Sequence, residues 1–475
     1  MDSLNQGQRK IYDIVVSQRL SAFYGGEAGT GKTHVADVMI AALIAQGVNV
    51  CVCASTGQAA QHLEEGFTAH MLFGLRPAKT KGGPSQRSGF WAMKKALEVA
   101  EVIFVDEISM LPDQLWVDMN DRLCQMRGTN KPFGGVQIVA LGDFLQLPPV
   151  EGRFCFHSEL FAATFDNRCF RLTQQMRQGE DLAFARMLAQ LRVGECPYGV
   201  KSALMTRLFA EECAPPPSEV TYLYCRRDQV EQKNAACLDS LPSEKHEWNA
   251  QDWMLSPQYE SALKSCILED KLVLKIGAPV LLRKNVDARR RLVNGTRGRV
   301  VGFATPRESG KATTCSTGPP THEEAPTLDD VEVLGEVQAH LGRLPIVEFN
   351  GTPYAVGTTR IEKHRGSQSE GRKRKSDDDD APPVEGRKGE LIASRTQIPL
   401  TLAFALTVHK AQGMTLPKVC FAWNNTFDNG QIYVALSRVR QLNDVYIISN
   451  YVPVNRIRAA ADAIEFEKKH VQALQ

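Results

Sequence analysis

The chain has 475 residues, of which 43% are hydrophobic, and its formal net charge is +2. This length predicts about three domains of ~150 residues each, and the small net charge excludes a generally basic protein, so any nucleic-acid surface must be local. No apolar run approaches the ~18 residues that cross a membrane, and the N-terminus has no signal-peptide pattern. The 12 cysteines include no C-x-x-C pair, which predicts reduced thiols of an intracellular protein rather than a disulfide framework or a zinc site.

The first predicted elements are a strand and a helix joined by a glycine-rich loop. "SAFYGG" (21–26) indicates the strand, and "KTHVADVMIAALIAQG" (32–47) indicates a helix that ends at Gly47. Between them, "GEAGTGKT" fits the phosphate-loop pattern, in which backbone N–H groups and the helix N-terminus bind phosphates. Lys32 would contact the outer phosphates of ATP, and the Thr33 hydroxyl would bind Mg²⁺. The predicted nucleotide-binding residues of this loop are Gly26, Glu27, Ala28, Gly29, Thr30, Gly31, Lys32, Thr33 and His34. The alternative is a glycine-rich turn without a ligand.

Three further apolar runs predict parallel strands that are buried on both faces: "VNVCVCAS" (48–55), "EVIFVDE" (101–107) and "VQIVALGD" (136–143). Functional residues of such sheets lie at the carboxyl ends of the strands. There, Asp106 would bind Mg²⁺ directly or through water, and Glu107 would polarise the attacking water. The alternative is an acidic strand end at a solvated edge. "RPAKTKGGPSQRSG" (76–89) predicts an exposed excursion from this domain.

The second half of the chain predicts a further α/β region with an inserted β module. "DLAFARMLAQLRVG" (181–194) indicates an amphipathic helix capped by Gly194, and residues 220–241 indicate a strand followed by a helix. The pieces "APVLLRKN", "GRVVGF" and "LPIVEF" predict short strands of a small inserted module.

Segment 364–389 carries opposed charge blocks and almost no apolar residues, which predicts disorder. Its "RKRK" block (372–375) resembles a nuclear-import signal, and Ser376 precedes four aspartates, as in a site for an acidic-directed kinase. A solvated linker is the alternative.

An ordered series of motifs extends along the chain. It consists of "LNQGQ" (4–8), "ASTGQAA" (54–60), "GDFLQLPPV" (142–150), "LTQQMRQ" (172–178), "ALTVHKAQGMTL" (405–416) and "YVALSRVRQ" (433–441). Together with the phosphate loop and "VIFVDEIS", this series resembles that of superfamily-one helicases. Residues 106–135, 274–303 and 393–416 are similar to the Pif-type (petite integration frequency) DNA helicases, which are related to the RecD group. The resemblance covers nearly the whole chain, except roughly 76–96, 305–340 and 364–389.

The resemblance implies an α/β fold with two RecA-like P-loop NTPase domains and an inserted small β-barrel, the Src-homology-3-like module of this group. The implied boundaries are 1–170 for the first RecA-like domain, with a small wedge-like insertion at 76–96, and 171–297 with 396–475 for the second. The barrel would occupy 298–395, including the disordered 364–389.

The resemblance also assigns roles around an ATP cleft. Gln8 would read the adenine edge, and Gln146 would sense the γ-phosphate and link it to the DNA side. Arg177 and Arg438 would reach the nucleotide from the second domain as arginine fingers, because a planar guanidinium suits the charge spread over a transferring phosphoryl group. Gln412 and Gly413 would face both nucleotide and DNA. The alternative for the two arginines is a pair of ordinary surface salt bridges.

For DNA, the resemblance implies a groove lined by Ser55, Thr56, His70, Thr407, His409 and Lys410. Segment 283–299 adds local charge, since its seven bases against one acid give +6, and this predicts contacts with phosphates. The charged residues are Arg283, Lys284, Asp287, Arg289, Arg290, Arg291, Arg297 and Arg299. A solvated loop face is the alternative. Phe73 and Trp91 could stack on bases, although an aromatic residue more often belongs to a core.

The implied activity is that of an ATP-dependent DNA helicase with ATP and Mg²⁺ as cofactors. It would move 5′→3′ on single-stranded DNA as a monomer and unwind duplex, forked or structured DNA in replication, repair, recombination or telomere maintenance. No membrane partner is expected, and a nuclear location would follow if the source is eukaryotic or viral. The alternatives are an ATP-dependent RNA helicase and a DNA-dependent ATPase that does not unwind.

Overall fold

The computed structural model describes residues 3–55, 67–75, 90–178, 181–210, 215, 219–264, 266–287, 290, 292–306, 311–314, 331–336, 343–364 and 391–474. Its strands are β1 (Ala22–Gly26), β2 (Val50–Ala54), β3 (Phe67–Thr68), β4 (Val102–Asp106), β5 (Gln137–Gly142), β6 (Cys169–Leu172), β7 (Leu208–Phe209), β8 (Thr221–Tyr224), β9 (His246–Asn249), β10 (Gln251–Met254), β11 (Lys271–Leu274), β12 (Pro279–Leu282), β13 (Arg297–Pro306), β14 (Lys311–Thr314), β15 (Val331–Leu334), β16 (Leu344–Phe349), β17 (Thr352–Val356), β18 (Thr359–His364), β19 (Leu391–Gln397), β20 (Leu400–Leu402), β21 (Ala405–Thr407), β22 (Val419–Phe421), β23 (Val445–Ile448) and β24 (Gln472–Leu474).

The helices are α1 (Gln6–Tyr12), α2 (Lys32–Ala45), α3 (Ala69–Leu72), α4 (Phe90–Val99), α5 (Asp113–Arg127), α6 (Glu159–Phe165), α7 (Leu182–Arg192), α8 (Tyr198–Met205), α9 (Arg227–Asp239), α10 (Glu260–Lys264), α11 (Val408–Ala411), α12 (Gln431–Leu436) and α13 (Ala461–His470). Within the described residues, no helix has the length and apolar character needed to cross a membrane.

The chain divides into two compact units. The first unit comprises Met1–Phe73, Lys94–Leu241 and Leu402–Gln475, and the second comprises Gly74–Met93 and Pro242–Thr401. Sequence segments that are far apart therefore fold together in the first unit, and the second unit is largely one continuous insertion.

The first unit contains a sheet of parallel strands in the order β24-β6-β1-β5-β4-β2-β3, as far as the described residues extend. Strands β1, β4 and β5 are buried along their whole length, as their continuous apolar sequences predict. One face packs on α2 through Val35 and Met39, which are fully buried with Phe104 and Leu141. The carboxyl ends of β1, β2, β4 and β5 therefore meet at one edge of the sheet.

A second parallel sheet of the first unit has the order β21-β8-β22-β23-β7 in the described part of the chain. Strand β8 and helix α9 arise from the segment 220–241 in which a strand and a helix were expected. Helix α7 begins after its N-cap Asp181 and ends two residues before Gly194, whose φ is +82°. The predicted α/β class with parallel sheets is confirmed.

The first sheet does not follow the predicted boundary at residue 170. Strand β6 crosses that position, and β24 pairs with β6 from Gln472 to Leu474. The Thr173 hydroxyl fixes this return by donating to the Leu474 carbonyl at 2.8 Å. The end of 396–475 thus completes the first sheet, although those residues were expected in the second domain.

The second unit is built mainly from antiparallel strands. Its larger sheet has the order β14-β15-β17-β16-β13-β12-β20 among the described residues, and two small sheets are formed by β10-β19-β18 and β11-β9. The expected module boundary at 298 falls inside β13, which pairs with β12 and β16, and the unit itself begins at Pro242. The segments 76–89 and 365–390 lie outside the described residues, and with them most of the predicted wedge and disordered loop.

Candidate functional site

The phosphate loop joins β1 to α2 at the carboxyl edge of the first sheet. Gly29 and Gly31 have φ of +91° and +78°. A Cβ on Gly29 would lie 2.6 Å from Arg177 Cβ, and one on Gly31 would lie 2.7 Å from Gln8 Nε2. Backbone conformation and space both require glycine at these positions.

Gln8 contacts the phosphate loop through its side chain. Its Nε2 donates to the Thr30 carbonyl at 3.3 Å, while its Oε1 accepts from the Asn5 amide at 3.1 Å and closes the N-terminal cap of α1. Gln8 is 1% exposed. Helix α1 is thereby anchored to the loop in which the nucleotide is expected.

Lys32 is folded back onto its own loop. Its Nζ donates to the carbonyls of Gly26 and Glu27 at 2.8 and 3.0 Å. Burial lowers the pKa of Lys32, and the carboxylates of Asp143, Glu107 and Asp106 oppose that shift. Phosphate oxygens would replace the two carbonyls as stronger, charged acceptors for this ammonium group.

The carboxyl end of β4 presents two adjacent carboxyl groups. Burial, followed by repulsion from Glu107, raises the pKa of Asp106 to about 8. A divalent cation would offset both effects, because its charge stabilises the ionised carboxylate. Oxygen ligands such as this carboxylate and the Thr33 hydroxyl suit Mg²⁺ bound together with a triphosphate. The residues present therefore fit the predicted metal.

A cavity of about 540 Å³ brings the two halves of the motif series together. Its lining comes from the phosphate loop, from the carboxyl ends of β4 and β5, and from segments after residue 175. The lining residues are Ala28, Gly29, Gly31, Lys32, Thr33, His34, Glu107, Gln146, Met176, Arg177, Gly413, Thr415, Arg438 and Arg440. A volume of this size suits a nucleotide-sized ligand.

Five predicted residues of the ATP site do not line this cavity directly: Gln8, described above, and Gly26, Glu27, Thr30 and Asp106. Gly26 and Thr30 shape the loop, since the Thr30 hydroxyl donates to the Glu27 carbonyl at 3.0 Å. The Glu27 carboxylate accepts from Gln175 Nε2 at 2.8 Å, and the Asp106 carboxylate accepts from the Glu107 amide at 2.7 Å.

The two predicted arginine fingers occupy different environments. Arg177 Nη1 donates to the Ser437 carbonyl at 3.0 Å. Arg438 is 1% exposed, and its Nε and Nη2 donate to the Val434 carbonyl and the Ser437 hydroxyl, both at 2.7 Å. Burial, with Arg177 nearby, lowers the pKa of Arg438 to about 9. Within the described part of the chain, neither arginine forms the surface salt bridge that was the alternative.

Gln146 lies between the cavity and a buried carboxylate. Its Nε2 donates to Asp143 Oδ2 at 3.2 Å, while its buried Oε1 has no partner among the described residues. An unpaired buried oxygen is costly. This oxygen is therefore available to a donor that arrives with the ligand, such as a water molecule beside the γ-phosphate.

Asp143 also joins three distant segments through Arg192. The Arg192 guanidinium donates to Asp143 from Nη2 at 2.7 Å and to Glu467 on α13 from Nη1 at 3.0 Å. Arg192 and Asp143 are almost fully buried. Burial alone would raise the pKa of Asp143, but the charge and hydrogen bonds of Arg192, together with Lys32 and Gln146, lower it.

Several residues of the site were not predicted from the sequence. The Tyr433 hydroxyl accepts from the Ala28 amide at 2.8 Å and donates toward Asp143 at 3.5 Å. Met176, Thr415 and Arg440 also line the cavity. Their positions in the motifs could have predicted them as site residues. Met176 and Arg440 lie within two residues of the predicted fingers, and Tyr433 is the first residue of the last motif.

The predicted DNA-facing residues belong to three segments of the first unit: the end of β2, helix α3 and helix α11. Ser55 follows β2, and Thr407 caps α11 by accepting from the Lys410 amide at 3.2 Å. Burial lowers the pKa of His409. His70 lies on α3, and Thr56 lies outside the described residues.

Phe73 is wholly buried, so the proposed base stacking by this residue is wrong. The side chain of Trp91 lies outside the described residues. Phe73 packs in the core because it ends α3 directly beside buried Leu72 and Ala69.

The described bases of the basic segment in the second unit have different partners. Arg290 pairs with Glu332 at 2.7 Å and with Asp287 at 3.5 Å. Burial lowers the pKa of Arg297, and Lys284 Nζ donates to the Thr359 hydroxyl at 2.6 Å. Arg289 and Arg291 lie outside the described residues.

Two family models match the chain. A PIF1-like helicase model matches residues 3–201, and a model of the Pif1 2B domain matches residues 259–303. The chain is 33% identical to the ATP-dependent DNA helicase Pif1 of a Psychrobacter species, over 93% of this chain and 67% of that protein. It is 32% identical to the human ATP-dependent DNA helicase PIF1, over 94% of this chain and 60% of that protein. The chain thus spans about two thirds of the length of these relatives.

Solved structures show the same similarity. The Pif1 helicase of Candida albicans aligns with a TM-score of 0.77 and 27% identity, over 98% of this chain and 99% of that chain. Bacteroides Pif1 bound to single-stranded DNA aligns with a TM-score of 0.72 and 25% identity, over 98% of this chain and 96% of that chain. On the strength of its sequence, its fold and the residues gathered at its cavity, the chain belongs to the PIF1-like family of ATP-dependent DNA helicases.

Proposed function

We propose that this chain hydrolyses ATP to move 5′→3′ along single-stranded DNA and to unwind the duplex ahead of it. The observation that carries the proposal is the cavity, in which the phosphate loop and Glu107 face Arg177 and Arg438. A cleft lined from two sheets can open and close with the nucleotide state, which turns hydrolysis into relative motion of the two halves.

Within this cleft, the phosphates would be contacted by Lys32, Gln146, Arg177 and Arg438. The Mg²⁺ would be bound by Thr33 and Asp106. Glu107 orients and polarises the attacking water, and Gln8, His34 and Gly413 bind the rest of the nucleotide. Catalysis of phosphoryl transfer consists mainly of positioning and charge stabilisation, and this set of residues supplies both. When bound, the Mg²⁺ would neutralise charge on the phosphate oxygens.

DNA binds along Ser55, Thr56, His70, Thr407, His409 and Lys410. The proposal is supported by the Ser55 hydroxyl, which donates to the carbonyl of cavity-lining Glu107 at 2.8 Å, and by α11, which ends two residues before cavity-lining Gly413. The second unit corresponds to the Src-homology-3-like module, and its remaining exposed bases add nonspecific contacts with phosphates. The two α/β sheets correspond to the two RecA-like domains. We further propose that the protein acts as a monomer on single-stranded and forked DNA in replication, repair, recombination or telomere maintenance, and that it does so in the nucleus if its source is eukaryotic or viral.

A strand-displacement assay tests the proposal. Duplexes with either a 5′ or a 3′ single-stranded tail are incubated with ATP and Mg²⁺, and we expect unwinding of the 5′-tailed duplex. Unwinding of the 3′-tailed duplex alone would contradict the polarity. Hydrolysis stimulated by RNA but not DNA, or by DNA without strand displacement, would contradict the helicase assignment.

A further inference from the structure

Glu107 is held in an unusual backbone conformation by contacts on both sides. Its φ is +49°, a region that non-glycine residues rarely occupy without support. Its amide donates to Asp106 Oδ1 at 2.7 Å, and its carbonyl accepts from the Ser55 hydroxyl at 2.8 Å. The side chain is also held, because Glu107 Oε2 accepts from Gln412 Nε2 at 2.9 Å.

The two side chains that donate to Glu107 come from the segments proposed to face DNA. Ser55 directly follows β2, where the first of these segments begins. Gln412 directly follows α11, the helical turn that contains His409 and Lys410. The backbone N–H of Gln412 donates to the His409 carbonyl at 3.3 Å. The position of this turn therefore determines where the Gln412 side chain begins.

Gln412 is arranged to present its amide group to Glu107. It is 5% exposed, and its Oε1 has no hydrogen-bond partner among the described residues. The side chain therefore keeps an unpaired buried oxygen while its nitrogen contacts the carboxylate. This arrangement costs free energy of folding, which indicates that the contact with the carboxylate has a function in the site. Gln412 itself does not line the cavity, so its effect on the nucleotide passes through Glu107.

We propose that Gln412 is a positioning residue that makes hydrolysis dependent on DNA. Its amide fixes Oε2 of Glu107 and leaves Oε1 to accept the hydrogen bond of the attacking water. An amide cannot take up a proton under these conditions, so it orients the carboxylate without competing as a base. DNA on His409 and Lys410 sets the position of α11 and thereby of the amide, while Ser55 holds the Glu107 backbone from the other side.

This inference rests on the proposed function, because it concerns how that function is stimulated. A displacement of about 1 Å in a catalytic group can cost on the order of 10²-fold in rate. A small movement of α11 is therefore sufficient to separate a slow state without DNA from a fast state with DNA.

The test replaces Gln412 by methionine, which has a similar volume but no amide donor. Steady-state ATP hydrolysis is measured with and without saturating oligo(dT), and DNA affinity is measured by fluorescence anisotropy. We expect the DNA-stimulated kcat to fall by about 10²-fold while KM for ATP and the DNA affinity stay within about twofold. That split identifies an interaction made in the transition state, which a merely structural glutamine would not produce.

A matched control is Gln137→Met. Gln137 is also buried, and its Nε2 donates to the carbonyls of Val15 and Leu20 at 2.9 and 2.8 Å, away from the cavity. We expect this variant to melt at a lower temperature and to keep its stimulated kcat within about twofold. Gln412→Glu provides a second variant that keeps the shape of the side chain, and it should be at least as slow as Gln412→Met because it places a carboxylate against Glu107.

The possible outcomes distinguish a failure of the positioning role of Gln412 from a failure of the proposed helicase function. A wild-type protein without DNA-stimulated hydrolysis would overturn the proposed function. If the wild type is stimulated and both Gln412 variants are stimulated equally, the positioning role is wrong and the function stands. A Gln412→Met variant that is faster than wild type without DNA would also overturn the inference, because the contact would then be inhibitory. If Gln412→Met does not fold, the Gln412→Glu measurement decides.

Discussion

Arg438 shows how the environment of one side chain changes the interpretation of a motif. The last motif of the series predicts a finger that extends into the cleft, but the guanidinium donates to the Val434 carbonyl and the Ser437 hydroxyl of its own segment. Its edge still lines the cavity beside Arg177. The arginine is therefore already oriented before a nucleotide arrives, which reduces the entropy lost when phosphate binds.

We expect Arg438→Ala to remove most DNA-stimulated hydrolysis, on the order of 10³-fold, because arginine fingers contribute at least this much in well-studied phosphoryl transfer. Binding of ATP and single-stranded DNA should persist. Arg438→Lys should restore little activity, since an ammonium group cannot form the planar two-pronged contact.

Steady-state hydrolysis with and without oligonucleotide checks this prediction, with anisotropy for DNA binding. Arg207→Ala is a matched control, because Arg207 donates to the carbonyls of Val445 and Asn443 in the same half of the first unit. Near-normal stimulated hydrolysis by Arg438→Ala would assign Arg438 to structure alone.

At this scale, local spacing predicted what is local. The phosphate loop and the pair Asp106–Glu107 are each contiguous in sequence, and the structure brings both to the sheet edge where ligands bind. The contact between Tyr433 and Ala28 spans 405 residues and could not be predicted from spacing. The burial of Phe73 agrees with the more common core position of an aromatic residue, although a short helix gives too little periodicity to show which side faces the core.

At the scale of elements, strands β18 and β19 determine how far apart the ends of the segment 365–390 lie. The two strands are antiparallel neighbours, and His364 is paired with Leu391. The two ends of the intervening segment therefore lie side by side, and a tight turn can connect them.

We expect a variant in which 365–390 is replaced by a short Asn-Gly turn to fold and to unwind DNA at a rate within about twofold of wild type. Strand displacement and thermal melting check this expectation. As a control, the same residues are replaced by a glycine/serine linker of equal length, which changes the sequence of the segment and keeps its length. Loss of unwinding by the shortened protein, at an unchanged melting temperature, would show that the segment contributes to the activity. In that case the linker variant distinguishes its sequence from its length.

The sequence predicted the long, strongly apolar elements well and the short ones less well. Strands β4 and β5 are buried on both faces, so their sequences have an unmistakable apolar character. Strand β10 is exposed at each of its four residues, and β9 and β11 form a two-stranded sheet among the described residues. Neither composition nor alternation therefore separated these strands from the preceding domain. The module boundary was therefore placed inside β13.

At the scale of the whole molecule, Arg192 connects three parts of the chain. Its guanidinium reaches Asp143 at the end of the first sheet and Glu467 on α13, from a helix that belongs to neither. The ion pair with Asp143 is almost fully buried, with side-chain exposures of 2% and 0%.

We expect Arg192→Met to lower the free energy of unfolding of the first unit by about 3–5 kcal/mol, because it leaves a buried carboxylate without its partner. Glu467→Gln, which keeps the pair between Arg192 and Asp143, should cost only about 1–3 kcal/mol. Urea denaturation at pH 7 with tryptophan fluorescence measures both. Equal losses for the two variants would mean that the helix contact, and not the buried pair, provides the stability.

Strand β24 gives the first sheet a property that concerns the order of synthesis. Strand β24 pairs with β6, and the Leu474 carbonyl accepts from the Thr173 hydroxyl. Because the two strands are separated by roughly 300 residues, the ribosome makes β24 long after β6. While the chain is still emerging from the ribosome, the edge of β6 has no partner, and an unpaired strand edge invites association with other chains. The phosphate loop is translated early, but it rests on a sheet whose strand β6 is paired along one side by residues 472–474. A nascent chain should therefore expose this side of β6 to chaperones until residues 472–474 have left the exit tunnel.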